Sequence, residues 1–446
     1  MREVIFLFAV FFSINSFAQK KVNPDLFGFA TSNTFTYCNV KDTSFTNKVV
    51  AINPQVLRFP GGAVGNFYHF GKKGYGFDFE EIDKYHNGKF PKRSRGLDQS
   101  RKKLNQNNDY IDDFIALAKK TNAKAVLVAN PFVYNDDIIL MIEKLNENNI
   151  EVIGVELGSE LSNRSYFSNG YTIDDYIEFS VKCSAKIKEQ FPEMKTAVVA
   201  APLVAKKSHR HNVWNTKLAE LDFYDAIIVH SYAKVTKGKD QYGQMLSEEK
   251  EGSEEEAFEL YKNRAIDYFK EEYPKEIQTY VSVFEKPIWI TEWNLQISKT
   301  TGNTMFQSLF VAQYFLELFS SPYLNPIELT TFHNLGGRDF AGSIFRNNKE
   351  EMEIQSTYYP MKLIGEIFEK EIVRIDKEVN DEVIKFKCFD KRDKIISTYR
   401  IDWNKKEFVY LYNVKEGYEV IIKSDNLFDM ADKRGILKLE KTFEFD

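Results

Sequence analysis

The chain has 446 residues, 43% hydrophobic and 15% aromatic, with a formal net charge of −5. That composition supports a large buried core and excludes a disordered or collagen-like polypeptide. The mild negative balance, with no heptads, repeats or low-complexity tracts, also excludes fibres, solenoids and general nucleic-acid binders.

Residues 1–18 differ in character from the rest of the chain. Arg2 precedes an apolar run over residues 4–12, and Ser16-Phe17-Ala18 offers small residues where a signal peptidase reads, so cleavage before Gln19 is expected. A run that short does not span about 30 Å of hydrocarbon, and no cysteine follows Ala18 to take a lipid. The mature chain is therefore expected to be secreted or periplasmic, without an integral membrane segment. Cys38, Cys183 and Cys388 are too few and too scattered for a disulfide framework and are expected to pack as small hydrophobes.

In chain order, short apolar runs at 26–30, 56–59, 125–128, 152–157, 196–200, 226–229, 288–291 and 327–331 read as strands. Stretches of helical period separate them, at 109–120, 135–146, 172–190, 254–269, 304–319 and 356–369. Eight strands apolar on both faces, joined by crossovers, describe a closed parallel (β/α)8 barrel over residues 19–369. From 370 to 446 the period shortens to two. Ile384, Phe386 and Cys388 alternate with Lys385 and Lys387, and Leu437, Leu439 and Phe443 with Lys438, Glu440 and Glu444, which predicts a small antiparallel β-sandwich.

Chemistry in such a barrel sits at the C-terminal strand ends. Those ends read "LRFPGG" (57–62), "GVELGSE" (154–160), "IVHSY" (228–232), "ITEWN" (290–294) and "TTFHNLGG" (330–337). Alternation puts Glu156, Gly158 and Glu160 on one face of strand four, and Ile288, Ile290 and Glu292 on one face of strand seven. Glu160 and Glu292 then both aim at the barrel mouth. Two carboxylates about 5 to 5.5 Å apart cleave a glycosidic bond with retention, one attacking the anomeric carbon while the other protonates the leaving oxygen. The nucleophile needs donors and a cation nearby; Arg58, His230 and Tyr232 are placed to serve Glu292.

These motifs resemble the clan of retaining glycosidases on (β/α)8 barrels whose acid/base ends strand four and whose nucleophile ends strand seven. The likeness is to members with a C-terminal β-sandwich, the α-L-arabinofuranosidases and the heparanase/β-glucuronidase group. It rests on Arg58-x-x-Gly61-Gly62, Glu156 four residues before Glu160, His230-Ser231-Tyr232 and Thr291-Glu292-Trp293, and covers about residues 25–446. The resemblance implies Glu160 as acid/base and Glu292 as nucleophile. One position departs from the pattern: Ser159 stands where the clan has an asparagine that holds the substrate's 2-hydroxyl. Water or Asn163 takes over that contact, or the substrate lacks a free 2-hydroxyl, or the protein only binds glycan.

The other strand-end residues carry a choice of roles. Arg58 and Glu156 form a buried ion pair, or Arg58 steadies Glu292. His230 and Tyr232 contact substrate or nucleophile. Trp293 stacks on a sugar face or packs under strand eight. Asn130, His333 and Asn334 are subsite candidates. His209 and His211 lack an acidic or cysteinyl partner nearby and read as a solvated loop, so no metal is expected. No phosphate-binding glycine loop or nucleotide motif is present in the sequence, so no cofactor is expected either.

The segment 71–108 holds ten lysines and arginines against five acids, and Lys206, Lys207 and Arg210 follow strand five. Both loops belong to the catalytic face, which leads to the expectation of an anionic poly- or oligosaccharide, uronate-containing or sulfated. A secreted retaining glycoside hydrolase is the leading reading. A non-catalytic glycan-binding relative and a transglycosylase are the alternatives. The segments 71–108 and 233–253 are long enough to roof the cleft.

Overall fold

The computed structural model describes residues 20–446 apart from 104–107, 134–135, 240–244, 249–251, 297, 299, 338–341, 348–351, 381–382, 414–416, 424–438 and 443–446. The expected leader at 1–18, and Leu437, Lys438, Phe443 and Glu444 of the C-terminal alternation, lie outside the described residues.

Eight short strands close into a parallel barrel: β1 (Gly28–Ala30), β2 (Val56–Phe59), β3 (Lys124–Val128), β4 (Val152–Glu156), β5 (Thr196–Val199), β6 (Ala226–Ala233), β7 (Ile288–Leu295) and β8 (Ile327–Phe332). Each strand pairs with its neighbours in sequence, and β8 closes onto β1. Parallel neighbours need crossovers, and helices supply them. These are α1 (Thr43–Ile52), α2 (Tyr110–Thr121), α3 (Asp137–Glu147), α4 (Ile173–Gln190), α5 (Arg210–Ala219), α6 (Glu254–Asp267), α7 (Tyr273–Phe284) and α8 (Met305–Ser320), while α9 (Tyr358–Glu369) follows β8. Their ends follow local chemistry. Thr172 and Ser253 build capping boxes with Asp175 and Glu256 at the starts of α4 and α6. Asn53 and Asn122 take the left-handed conformation that stops α1 and α2.

Beyond α9 the chain forms β9 (Arg374–Asn380), β10 (Val383–Phe389), β11 (Ile395–Asp402), β12 (Glu407–Tyr412), β13 (Glu419–Lys423) and β14 (Leu439–Thr442). They pair in sequence order as one six-stranded antiparallel sheet, the all-β unit that the period-two alternation called for. One face of it, with Phe386, Tyr399, Ile401 and Phe408, is buried. The sheet is pinned to the barrel by Trp403, whose Nε1 donates to Gln313 of α8 (2.8 Å), and by Tyr399, Tyr410 and Tyr418, whose hydroxyls donate to Leu363 O or Glu366 of α9. This explains α8, which is apolar all round: it lies between barrel and sheet, and every residue from Met305 to Phe319 is buried. Cys38 and Cys388 are buried and Cys183 half-buried, all three as free thiols.

Strand β7 departs from simple alternation. Ile228 and His230 of β6 pair with Trp289 and Glu292, while Thr330 and Phe332 of β8 pair with Ile290 and Trp293. Strand β7 thus carries one extra residue against both neighbours, a β-bulge beside the site. Trp289 crosses the barrel to Gly154, where a Cβ would lie 2.2 Å from the indole, so only glycine fits there. Thr291 donates to Glu156, and Glu292 accepts from Arg58. Three residues, Trp289, Thr291 and Glu292, therefore face inward, rather than the expected Ile288, Ile290 and Glu292. Glu292 reaches the mouth because the bulge resets the phase.

Candidate active site

Arg58, wholly buried on β2, organises the site. Its Nε and Nη2 donate to the two oxygens of Glu156 on β4 (2.6 and 2.8 Å), and its Nη1 donates to Glu292 Oε1 on β7 (2.8 Å). Both roles open in the sequence are thus filled by one guanidinium, whose planar fork suits a bidentate carboxylate with a donor to spare. Thr291 Oγ1 adds a hydrogen bond to Glu156 Oε2 (3.1 Å).

On β6, side chains alternate as read. Ser231 turns outward to Tyr268, and His230 and Tyr232 turn inward. The Tyr232 hydroxyl donates to Glu292 Oε2 (2.8 Å). His230 Nδ1 lies 3.0 Å from Glu160 Oε1 and 3.6 Å from Glu292 Oε2, so one imidazole faces both carboxylates. Burial opposes ionisation of Glu292, but the His230 and Arg58 charges and the Tyr232 hydroxyl outweigh it and hold the carboxyl well below the usual carboxylate range. Burial likewise opposes the charge on His230, yet Glu292 and Glu160 raise it above the ordinary imidazole value. Burial and the nearby Glu292 push the Tyr232 hydroxyl well up, so it serves as a donor.

Glu160 reaches the mouth by a turn, not by strand alternation: β4 ends at Glu156. Gly158 (φ +89°) and Glu160 (φ +52°) both take the left-handed conformation, which costs a side-chain-bearing residue about 1–2 kcal/mol. Asn66 holds the turn in place. Its Oδ1 accepts from Ser159 N (2.8 Å) and its Nδ2 donates to Ser159 O (2.6 Å). Asn163 Nδ2 donates to Glu160 Oε2 (3.0 Å). Carboxylate oxygens of Glu160 and Glu292 and the facing His230 nitrogen all lie within 4.8 Å of one another. The two acids are unlike in setting: the Glu160 side chain is 33% exposed and that of Glu292 5%.

Other expected contacts fall elsewhere. Trp293 does not face the cleft. It takes the packing alternative open in the sequence: fully buried, it stacks on Tyr314 at 3.8 Å with Phe315 and Phe332 edge-on, against α8 and β8. Ser159 is also wholly buried, with its Oγ 3.4 Å from Arg58 Nη2, so it offers no hydroxyl to a substrate. Asn130 shapes a loop instead of a subsite: it donates to Tyr68 O (3.3 Å) and accepts from Phe132 N (2.9 Å). His333 lies at the mouth, its ring edge-on to Tyr232 at 6.2 Å, and burial lowers its basicity. Asn294 positions it by donating to His333 O (2.8 Å). Asn334 makes no hydrogen bond to the carboxylate cluster among the described residues, and its buried Oδ1 has no partner there. His209 caps α5 by accepting from His211 N.

Asn66 and Thr291 are functional-site residues that the sequence reading missed. Thr291 was visible in the Thr-Glu-Trp turn, but Asn66 in "GGAVGNF" carries no pattern that marks it. Four cations of the basic segment 71–108 are engaged in ion pairs: Lys72 with Asp78, Arg95 with Asp83, Lys102 with Asp98 and buried Arg101 with Asp113 outside the segment.

The fold has solved counterparts. A family 51 α-L-arabinofuranosidase from Bifidobacterium longum superposes with a TM-score of 0.60 at 10% identity, over 95% of this chain and 92% of that one. The family 51 arabinofuranosidase of Xanthomonas axonopodis pv. citri gives 0.54 at 11% identity over 88% and 83%. The α-L-arabinofuranosidase of Thermotoga maritima gives 0.54 at 12% over 91% and 84%. At such identities the likeness establishes a shared fold: a parallel (β/α)8 barrel with a C-terminal β domain. No family model matches the sequence, and no curated protein matches it.

Proposed function

We propose that the protein is a secreted retaining glycoside hydrolase that cleaves a poly- or oligosaccharide by double displacement. One observation carries the reading: an oxygen of Glu160 and one of Glu292 lie within 4.8 Å of one another at the C-terminal end of the barrel. Retaining pairs stand about 5–5.5 Å apart, whereas inverting pairs leave about 6.5–9.5 Å for a water. The fold shared with arabinofuranosidases supports the class, and the leader-like residues 1–18 support export.

In the first step, ionised Glu292 forms a bond to the anomeric carbon as the glycosidic C–O bond breaks, and Glu160 gives its proton to the departing oxygen. In the second, Glu160 takes a proton from water, the hydroxide adds to the anomeric carbon, and the Glu292 carboxylate leaves. Arg58 and Tyr232 hold Glu292 in register, and His230 couples the two acids. Water is the only co-reactant. Glu160, His230 and Glu292 are also donor types that hold divalent cations, but Arg58 already supplies positive charge at Glu292, so the chemistry does not call on an ion.

The substrate is read as anionic, on the strength of cations at the catalytic face beyond those tied up in 71–108. Glu292→Ala tests the enzyme reading. On a panel of neutral and acidic glycosides, any turnover shown by the unaltered chain should vanish in the variant, and an unchanged rate would overturn the assignment.

A further inference from the structure

A groove of about 980 Å³ lies beside the catalytic cluster: His230 and Tyr232 are among its lining residues, Glu160 and Glu292 are not, and Ser231 and Tyr268 set it against the outward side of β6. Pro202, Leu203, Val204 and Ala205, in the loop after β5, give it an apolar wall. The opposite wall comes from α6, α7 and the turn between them, with Arg264, Tyr268 and Thr279. The volume stands at the top of the range for small-ligand sites, about 300–1,000 Å³.

The groove's charge is specific. Lys234, Lys237, Arg264 and Lys275 line it against Glu272 and Glu276, four cations to two carboxylates, in a chain of net charge −5. Arg264 is anchored through Nη1 to Val235 O (3.1 Å), and both glutamates are engaged in interactions of their own. Lys234 and Lys275 are exposed and have no ion-pair partner among the described residues. Lys234 sits next but one to Tyr232, so cationic charge begins beside the residue that holds the nucleophile. Unpaired cations along a low-dielectric wall focus field into the groove and favour a ligand with fixed negative charge.

We propose that this groove binds a run of several sugar units bearing carboxylate or sulfate groups, so that subsites for an acidic chain extend outward from the cleaved bond past Lys234 to Lys275. The inference rests on the hydrolase reading and names its substrate class. The apolar loop 202–205 packs against sugar faces, while the lysines meet the acidic substituents.

Titration calorimetry on the full mature chain carrying Glu292→Ala, which leaves ligands uncut, tests it. The probes are an oligogalacturonate hexamer, a heparin-derived hexasaccharide and neutral xylohexaose. At least one acidic hexamer should bind about tenfold or more tightly than xylohexaose, with affinity falling as salt is added. Adding Lys234→Glu and Lys275→Glu should weaken that binding about tenfold or more at an unchanged melting temperature. Equal or weaker binding of both acidic hexamers, or affinity indifferent to the two charge reversals, would overturn the proposal. Failure of the hydrolase reading shows separately, as wild-type turnover that survives Glu292→Ala.

Discussion

Arg58 of β2 crosses the barrel to Glu292 of β7, Nη1 to Oε1 at 2.8 Å, while the same guanidinium holds both oxygens of Glu156. Three strands are thereby locked through one buried cation. Arg58→Ala leaves two carboxylates without their counter-charge, and breaking such a buried pair costs about 3–5 kcal/mol. Urea denaturation should show a loss of that size. A change within about 0.5 kcal/mol, as at an ordinary surface position, would mean that the ion pair does not support the barrel.

Tyr232 offers a gentler perturbation. Its hydroxyl donates to Glu292 Oε2 at 2.8 Å, so Tyr232→Phe removes one hydrogen bond to a charged group and little volume. Such a bond contributes about 1.5–3 kcal/mol, equivalent to roughly 10–100-fold in rate. kcat should fall in that range, and the melting temperature should drop by a few degrees because the same bond is lost from the folded chain. A kcat equal to wild type would remove Tyr232 from the catalytic cluster.

His230 gives a pH signature. Its pKa is raised in the folded chain by Glu292 and Glu160 against the pull of burial. The stability from its charge is therefore complete below the unfolded value of about 6.5 and is lost as pH climbs past the folded value. Glu292 is held low, so its own contribution fades only in acid, outside that window. The melting-temperature gap between wild type and His230→Gln should be larger near about pH 6 than near about pH 9. A gap that widens with pH would reverse the sign and sink the assignment.

Trp293 separates packing from recognition. It lies between Tyr314, Phe315 and Phe332 with no exposed surface. Trp293→Ala should cost about 3–5 kcal/mol of stability, as for a large buried aromatic. A stable variant with a raised KM would instead place the indole on the substrate.

The barrel was legible because apolar runs of strand length, separated by helical period, leave few alternative architectures, and the eight strands lie where those runs fall. Glu292 was legible for the wrong local reason. Counting by twos along "IWITEWN" gives its inward direction only if the strand is regular, yet one extra residue between Trp289 and Glu292 turns Trp289 and Thr291 inward, while Trp293 keeps the outward direction of the count. A bulge leaves no mark in hydrophobic alternation. Glu160 was found by spacing from Glu156, but the left-handed turn that presents it depends on Asn66, ninety-odd positions earlier, and a single sequence does not pair such residues. Charge counts in 71–108 carry no record of partners, so the ion pairs Lys72–Asp78 and Arg95–Asp83 stayed hidden. Ser159 illustrates the same limit: the turn buries it against Arg58, a direction that its identity does not encode.

The most direct measurement is mass spectrometry of the protein after incubation with activated 2-fluoro glycosides, followed by peptide mapping. The account predicts a single glycosyl ester on Glu292, its formation abolished in Glu292→Ala. An adduct on another residue, or none from a chain that turns over glycosides with inverted products, would contradict the pairing of Glu160 and Glu292 as acid/base and nucleophile.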